Sequence, residues 1–221
     1  MIKILLADDH AIVRSGLKVI LASEPKFELV GEASNGSEVL DILCQKKQVH
    51  EMPDLLLTDL SMPGISGSDL IERVKSLYPT LPVLVLTMFN DAAMATRIIK
   101  AGADGYVAKD SPPEELLAAL RKVASGGKHI DMKLAEKMLF NTASTETLHS
   151  KLSARELEVL RLLLQGKGVN HIAEQLYISN KTVSTHKAHL LEKMGMSSTT
   201  ELVRYAVQHD LFPQEGMSNG A

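Results

Sequence analysis

Asp54-Leu55-Leu56-Leu57-Thr58-Asp59-Leu60-Ser61-Met62-Pro63-Gly64 is a short apolar run framed by two aspartates and closed by a Pro-Gly pair. An apolar stretch of this length, ending in turn residues, reads as a strand buried on both faces. A carboxylate does not belong in such a core, so Asp59 falls where the strand leaves the sheet. Asp54 starts the same strand and therefore falls at the opposite edge.

Working outward, the same unit repeats. Ile2 to Ala7 is a strand, followed by an amphipathic helix from Ala11 to Leu21. Phe27 to Ala33 is a second strand, with Ser37 to Leu43 helical behind it. After the central strand and its Pro63/Gly64/Gly67 loop comes a helix from Ser68 to Leu77. Pro82 to Thr87 and Gly105 to Ala108 are the last strands, followed by helices from Ala92 to Lys100 and from Pro112 to Ala124. Strands alternating with helices of about ten residues imply right-handed crossovers and an α/β fold, a doubly wound five-stranded parallel sheet. Such sheets carry their sites at the carboxyl ends of the strands.

The polar residues fall at that edge. Asp8 and Asp9 close the first strand, Asp59 the third, Thr87 the fourth and Lys109 the fifth. Three carboxylates converging there would repel one another unless a divalent cation neutralised them. Hard oxygen ligands with open water positions suit magnesium. A lysine and a hydroxyl beside them can hold the oxygens of a phosphoryl group. A single aspartate at a strand end is an ordinary helix cap. Five suitable residues at one edge are not explained that way.

Leu6-Ala7-Asp8-Asp9-His10, Leu57-Thr58-Asp59-Leu60-Ser61-Met62-Pro63-Gly64, Leu86-Thr87 and Tyr106-Val107-Ala108-Lys109 resemble, in order and spacing, the flavodoxin-like receiver domain of two-component response regulators. The resemblance covers roughly residues 1–124. It implies that Asp59 accepts a phosphoryl group from a sensor histidine kinase. It implies magnesium held by Asp9, Asp59 and the backbone carbonyl of Ser61, with Asp8 acting through water. Thr87 would bond the phosphoryl oxygen, Lys109 would pair with the phosphate, and Thr87 and Tyr106 would move in response. Two positions depart from the common pattern. Met88 stands where many receivers have a small residue, and Ser61 where some carry a longer polar one.

Composition bounds the rest. Hydrophobic residues make up 45% of the 221 and charged residues 23%, enough for packed cores and a solvated surface. Cys44 is the only cysteine, which excludes an internal disulfide and a cysteine-based zinc cluster. The paired acids Asp8 and Asp9 come too early for a secretory signal. The longest apolar run, residues 81–89, is about half a membrane-spanning length. A soluble cytoplasmic protein without membrane contact is expected. Residues 1–125 carry 13 Lys/Arg against 17 Asp/Glu, whereas residues 151–212 carry 8 against 6. The excess of base in the second part points weakly towards a nucleic-acid partner.

Gly126-Gly127 ends the fifth helix, and Gly127 to Ile130 begins a connecting segment. Lys133 to Phe140 has helical spacing, and the Thr/Ser-rich stretch from Asn141 to Ser150 reads as a mobile tether. The expected organisation is a first domain over 1–125, a partly helical linker over 126–150, a second domain over 151–212, and a disordered tail over 213–221.

The second domain has no strand pattern. Ser153 with Glu156 forms a capping-box signature ahead of Leu157, Leu160, Leu163 and Leu164, and Gly166 and Gly168 break that helix. Asn170 to Leu176 is a short helix, Tyr177-Ile178-Ser179 a tight joint, and Asn180 to Met194 a longer helix stopped by Gly195. A last helix starts at Ser198, with Leu202, Tyr205 and Ala206 inward. Four helices with a tight joint in the middle make an all-α helix-turn-helix domain. At 100° per residue, Val183, His186, Leu190 and Met194 face inward. Lys181, Thr185, Ala188 and Glu192 lie opposite, with Ser184 and His189 at the flanks. Such a face fits the major groove of duplex DNA. The candidate DNA-contacting residues are Lys181, Thr182, Ser184, Thr185, Lys187, Ala188 and His189. His186 and His189 lack the i, i+4 spacing of a helical metal site.

Leu152 to Leu160, Ile172 to Leu176, Ile178 to His186 and Leu191 to Gly195 resemble the LuxR-type DNA-binding domain, and the whole chain is similar to the NarL/FixJ branch of response regulators. The resemblance implies a transcriptional regulator, not an enzyme, that forms a dimer on promoter DNA when phosphorylated and has RNA polymerase as a further partner. Ser184 and Ala188 are basic in some relatives, so the target sequence does not carry over. Two other readings remain. One is a regulator of the same fold that works without phosphorylation. The other is a phosphohydrolase using Asp59 as nucleophile, which would want a second acid where Ser61 stands.

Overall fold

The computed structural model describes residues 1–65, 67–88, 92–140, 148–208 and 211. The chain divides into two compact units, Met1–Thr145 and Glu146–Ala221.

In the first unit, β1 (Ile2–Ala7), β2 (Phe27–Ala33), β3 (Leu55–Asp59), β4 (Val83–Thr87) and β5 (Gly105–Ala108) alternate with α1 (Ala11–Ala22), α2 (Gly36–Gln48), α3 (Gly67–Leu77), α4 (Ala92–Lys100) and α5 (Pro113–Ala124). All pairings are parallel, in the order β2-β1-β3-β4-β5, with a sixth strand, β6 (His129–Ile130), beyond β5. The winding reverses between β1 and β3, which opens a crevice at their carboxyl ends.

The apolar runs are buried on both faces. Ile4, Leu6, Leu55, Leu57, Leu84 and Leu86 meet Leu17 and Leu21 of α1 and Leu116, Leu120 and Val123 of α5 in one cluster. The alternate residues Leu5, Leu56, Val85 and Tyr106 are buried as well. Each such side chain contributes about 1.5–3 kcal/mol on leaving water.

Two stretches differ from the sequence reading. β6 and the next helix, α6 (Met132–Phe140), lie in the segment read as linker, yet β6 pairs with β5 through Gly105–His129 and Tyr106–Ile130, and α6 packs on α4. A two-residue strand is too short to show a period, so five strands were legible and the sixth was not. α2 continues to Gln48, five residues past the expected Leu43, because its last turns are polar and solvated.

The first described element of the second unit is a 3-10 turn over Leu148–Lys151, which takes in the last three residues of the stretch read as tether. His149 is buried there, its Nδ1 3.1 Å from the Tyr205 hydroxyl, which pins the turn to the last helix. Four helices follow: α7 (Ala154–Leu164), α8 (Val169–Gln175), α9 (Asn180–Met194) and α10 (Thr199–Gln208). The rest of the tether, residues 141–147, and the tail read over 213–221 lie outside the described residues. No helix among the described residues is long and apolar enough to cross a membrane.

Candidate functional site

Strand register assembles the first site. Ala7 pairs with Thr58, Asp59 with Leu86, and Thr87 with Ala108, so the residues closing β1, β3, β4 and β5 come level at one edge. The Lys109 amide donates to the Thr87 carbonyl at 2.7 Å, fixing the exit of β5 over the end of β4. Gly36, at the start of α2, lets a neighbouring loop close in. A Cβ there would lie 1.9 Å from the Ile65 carbonyl oxygen, so only glycine admits the β3–α3 loop at this position.

Asp8, Asp9, His10 and Asp59 offer ligand atoms that all lie within 4.8 Å of one another. Asp8 and Asp59 are buried, and Lys109 Nζ lies between them, 2.7 Å from Asp8 Oδ2 and 3.1 Å from Asp59 Oδ2. Burial works to raise the Asp8 carboxyl, but the His10 hydrogen bond and the Lys109 charge outweigh it and hold it below the usual aspartate value. Burial likewise works to discharge Lys109. The carboxylates of Asp59 and Asp8 reverse the balance, so its ammonium is held more firmly than usual. Ser61, Thr87 and Tyr106 are buried, whereas Met88 is exposed at the exit of β4. Asp54 lies at the other end of β3, its Oδ2 accepting from the Lys3 amide at 2.8 Å.

Two members of this site escaped the sequence reading. His10 Nδ1 is 2.8 Å from Asp9 Oδ1 and 3.5 Å from Asp8 Oδ1, and hydrogen bonds first to Asp8 and then to Asp9 raise its pKa to about 10. Arg14, one turn into α1, donates to the Asp8 carbonyl at 2.6 Å and steadies the acidic loop. The only available sign was that both follow the paired aspartates closely, His10 directly and Arg14 five residues after Asp9.

The second site is a helix face. The Ser153 capping box starts α7: the Ser153 amide donates to Glu156 Oε2 at 2.7 Å and the Glu156 amide to Ser153 Oγ at 3.3 Å. Arg155, buried, donates to the Leu176 carbonyl at 3.0 Å and so holds the joint after α8. In that joint Tyr177 takes a φ of 52°, a left-handed conformation that L residues seldom adopt. Glu156 and Lys193 pair at 2.8 Å, tying the far end of α9 to α7. Arg155 and Glu156 are buried charges with a positional task, and the sequence reading gave Arg155 no role.

α9 is capped by Ser179, whose side chain accepts from the Thr182 amide, and ends at Gly195 with a φ of 63°. Val183, Leu190 and Met194 are buried and His186 half-buried, as the stripe predicts. Burial, followed by the Arg155 charge, lowers the His186 pKa and keeps the ring neutral. Lys181, Thr182, Ser184, Thr185, Ala188 and His189 are exposed together on the outside, and Lys187 is partly covered at the border.

Sequence profiles of two families match the chain: the response regulator receiver domain over residues 4–121, and the luxR family of bacterial regulatory proteins over 150–206. The oxygen regulatory protein NreC of Staphylococcus aureus is 40% identical over 218 residues, which is 95% of this chain and 98% of that protein. RcsB of Salmonella typhimurium is similar in structure, with a TM-score of 0.59 at 30% identity over 94% of this chain and 100% of that one. A two-component response regulator RcsB–DNA complex gives 0.58 at 30% over 93% and 98%. The chain therefore belongs to the response-regulator family, as a two-component DNA-binding transcriptional regulator with a receiver domain ahead of a LuxR-type helix-turn-helix domain.

Proposed function

We propose that this regulator is switched by phosphorylation of Asp59. The observation that carries the proposal is the Asp8–Asp9–Asp59 cluster with Lys109 between Asp8 and Asp59, at the crevice edge of the sheet. A carboxylate oxygen of Asp59 attacks the phosphorus of a kinase phosphohistidine. The new P–O bond makes an acyl phosphate as the P–N bond breaks, and the leaving imidazole takes up a proton. Lys109, already against Asp59, neutralises the incoming oxygens, and the Thr87 hydroxyl donates to one of them.

The donor set suits a hard divalent cation: three carboxylates within reach of one point and no sulfur ligand. Asp9, Asp59 and the Ser61 backbone carbonyl would hold magnesium directly, and Asp8 through water. Bound magnesium supplies positive charge against the transferring phosphoryl group.

The product adds negative charge beside the buried Thr87 and Tyr106, the elements that move in response. That movement alters DNA binding by the LuxR-type domain, through Lys181, Thr182, Ser184, Thr185, Lys187, Ala188 and His189. The partners are a sensor histidine kinase, double-stranded promoter DNA, a second copy of the chain and RNA polymerase, which places the protein in the cytoplasm. RcsB supports the dimer by likeness, since two RcsB dimers have been seen bound to two parallel DNAs.

Intact-mass measurement with a small acyl-phosphate donor and magnesium tests the assignment. Wild type and Asp54→Asn should gain one phosphoryl adduct, and Asp59→Asn none. An undiminished adduct on folded Asp59→Asn protein would overturn it.

A further inference from the structure

On the outward face of α9 the hydroxyl hydrogens are already spent. Ser184 Oγ lies 2.9 Å from the Asn180 carbonyl oxygen, and Thr185 Oγ1 lies 3.0 Å from that of Lys181. A carbonyl only accepts, so each hydroxyl is the donor, and a hydroxyl has one hydrogen. Thr182 Oγ1 lies 2.8 Å from the Ser179 hydroxyl at the cap, a pair in which either oxygen can donate. These side chains therefore offer lone pairs and methyl groups outward, with no hydrogen left over at Ser184 or Thr185. Ala188, three residues beyond Thr185 and exposed, adds a second methyl on the same ridge.

We infer that α9 selects A·T pairs at the centre of each half-site, through methyl contact of Thr185 and Ala188 with thymine and acceptance by Ser184 from adenine. This rests on the reading that the outward face of α9 lies in the major groove. There thymine alone carries a methyl group, adenine offers its N6 amino donor, and guanine presents only the acceptors N7 and O6. Guanine needs a donor from the protein. Ser184, Thr185 and Ala188 in the middle of this face supply none, and the donors around them stand at the first turn (Lys181, Thr182), at the flank (His189) and at the partly covered border (Lys187). Glu192, exposed at the far end, is another acceptor and adds to the preference against guanine. Cytosine could meet an acceptor through N4, but its pair brings no methyl to Thr185 and sets guanine beside it.

The test uses the full chain with an acyl-phosphate donor and an operator selected from randomised duplex. Affinities are then measured on that operator with single thymines replaced by deoxyuridine, which lacks only the methyl. Each replacement should weaken wild-type binding about fourfold, the worth of one buried methyl group, so one replacement in each of two half-sites should weaken it about sixteenfold. Thr185→Val keeps the methyl and the β-branch, so it should still prefer thymine to uracil. Thr185→Ser keeps the hydroxyl and should lose that preference at the thymine beside residue 185, while the preference at the thymine beside Ala188 stays. The reverse pattern, with Val losing base preference and Ser retaining it, would show that the hydroxyl donates to a base. The helix would then read the groove, but not by methyl contact. If neither variant nor any uracil alters preference, α9 does not read bases there, and the groove reading falls together with the inference.

Discussion

The acidic pocket and the outward face of α9 are both small polar sites, but they are built over different distances. Lys109 and Asp8 are 101 residues apart and meet only when β1, β3, β4 and β5 stand in register. The α9 face is drawn from a single helix of 15 residues, Asn180–Met194. The pocket is also buried, so each of its charges depends on the others being present, and removing one partner strands the rest. The helix face is solvated and its residues act nearly one by one. On the proposed function, loss of one pocket residue should therefore disable the switch as a whole, whereas the α9 face should tolerate change residue by residue.

The largest effect would test whether the helix face is as local as it looks. Leu190 is fully buried beneath it. Leu190→Ala should destabilise the second unit by about 2–5 kcal/mol and abolish DNA binding, while Asp59 is still phosphorylated. Denaturant unfolding with intact-mass measurement reads both. Loss of phosphorylation as well would mean that the two units do not fold independently.

Next comes a single charge in the pocket. Asp9→Asn should weaken magnesium binding and slow phosphorylation by more than about tenfold, since even outer-shell partners of a metal site cost 10–100-fold. Calorimetric titration and the rate of adduct formation check it. An unchanged affinity would show that the pocket is graded after all.

A smaller effect depends on pH. Burial works to raise Glu156, but the hydrogen bonds from Lys193 and Ser153 outweigh it and hold it below its ordinary value of 4.5. A depressed carboxyl stabilises the fold above that ordinary value and loses the contribution as pH falls through the folded one. Glu156→Gln should therefore be less stable than wild type at neutral pH, with the gap closing progressively below pH 4.5 in thermal melts. A gap that stays constant with pH would assign the loss to packing rather than to charge.

What was legible in the sequence follows the same division. The strands stood out because their apolar runs are continuous, and α7 because Ser153 and Glu156 mark its start. The pocket residues were visible as polar side chains at strand ends. His10 and Arg14 were not, because neither breaks a pattern: each sits near a helix start where a polar residue is ordinary. Arg155 was hidden for another reason. Glu158, three residues on, is a partner visible in the sequence at 2.6 Å, but the contact that fixes the joint goes to the Leu176 backbone carbonyl 21 residues away, and a carbonyl leaves no trace in the sequence. β6 and the turn at Leu148–Lys151 are held by tertiary contacts too short to carry a period.

The smallest expected effect separates reading from holding on the helix itself. Lys187 follows Val183 by one turn and lies about 40° round the helix from that buried residue. It is partly covered where Thr185 is exposed, so with α9 in the groove as proposed its amine would reach the side of the groove rather than the base edges. Lys187→Ala should therefore weaken binding to every duplex alike and lower the salt slope by about one unit, the signature of one lost phosphate contact. Thr185→Ala, by contrast, should change preference at particular positions, where a lost base contact costs about 1–3 kcal/mol of discrimination, and should leave the salt slope unchanged. Affinities on a panel of operator variants at several salt concentrations resolve the two. If Lys187→Ala shifts base preference and keeps the slope, the reading face extends round to the border of the core, and the helix enters the groove more side-on than its buried stripe implies.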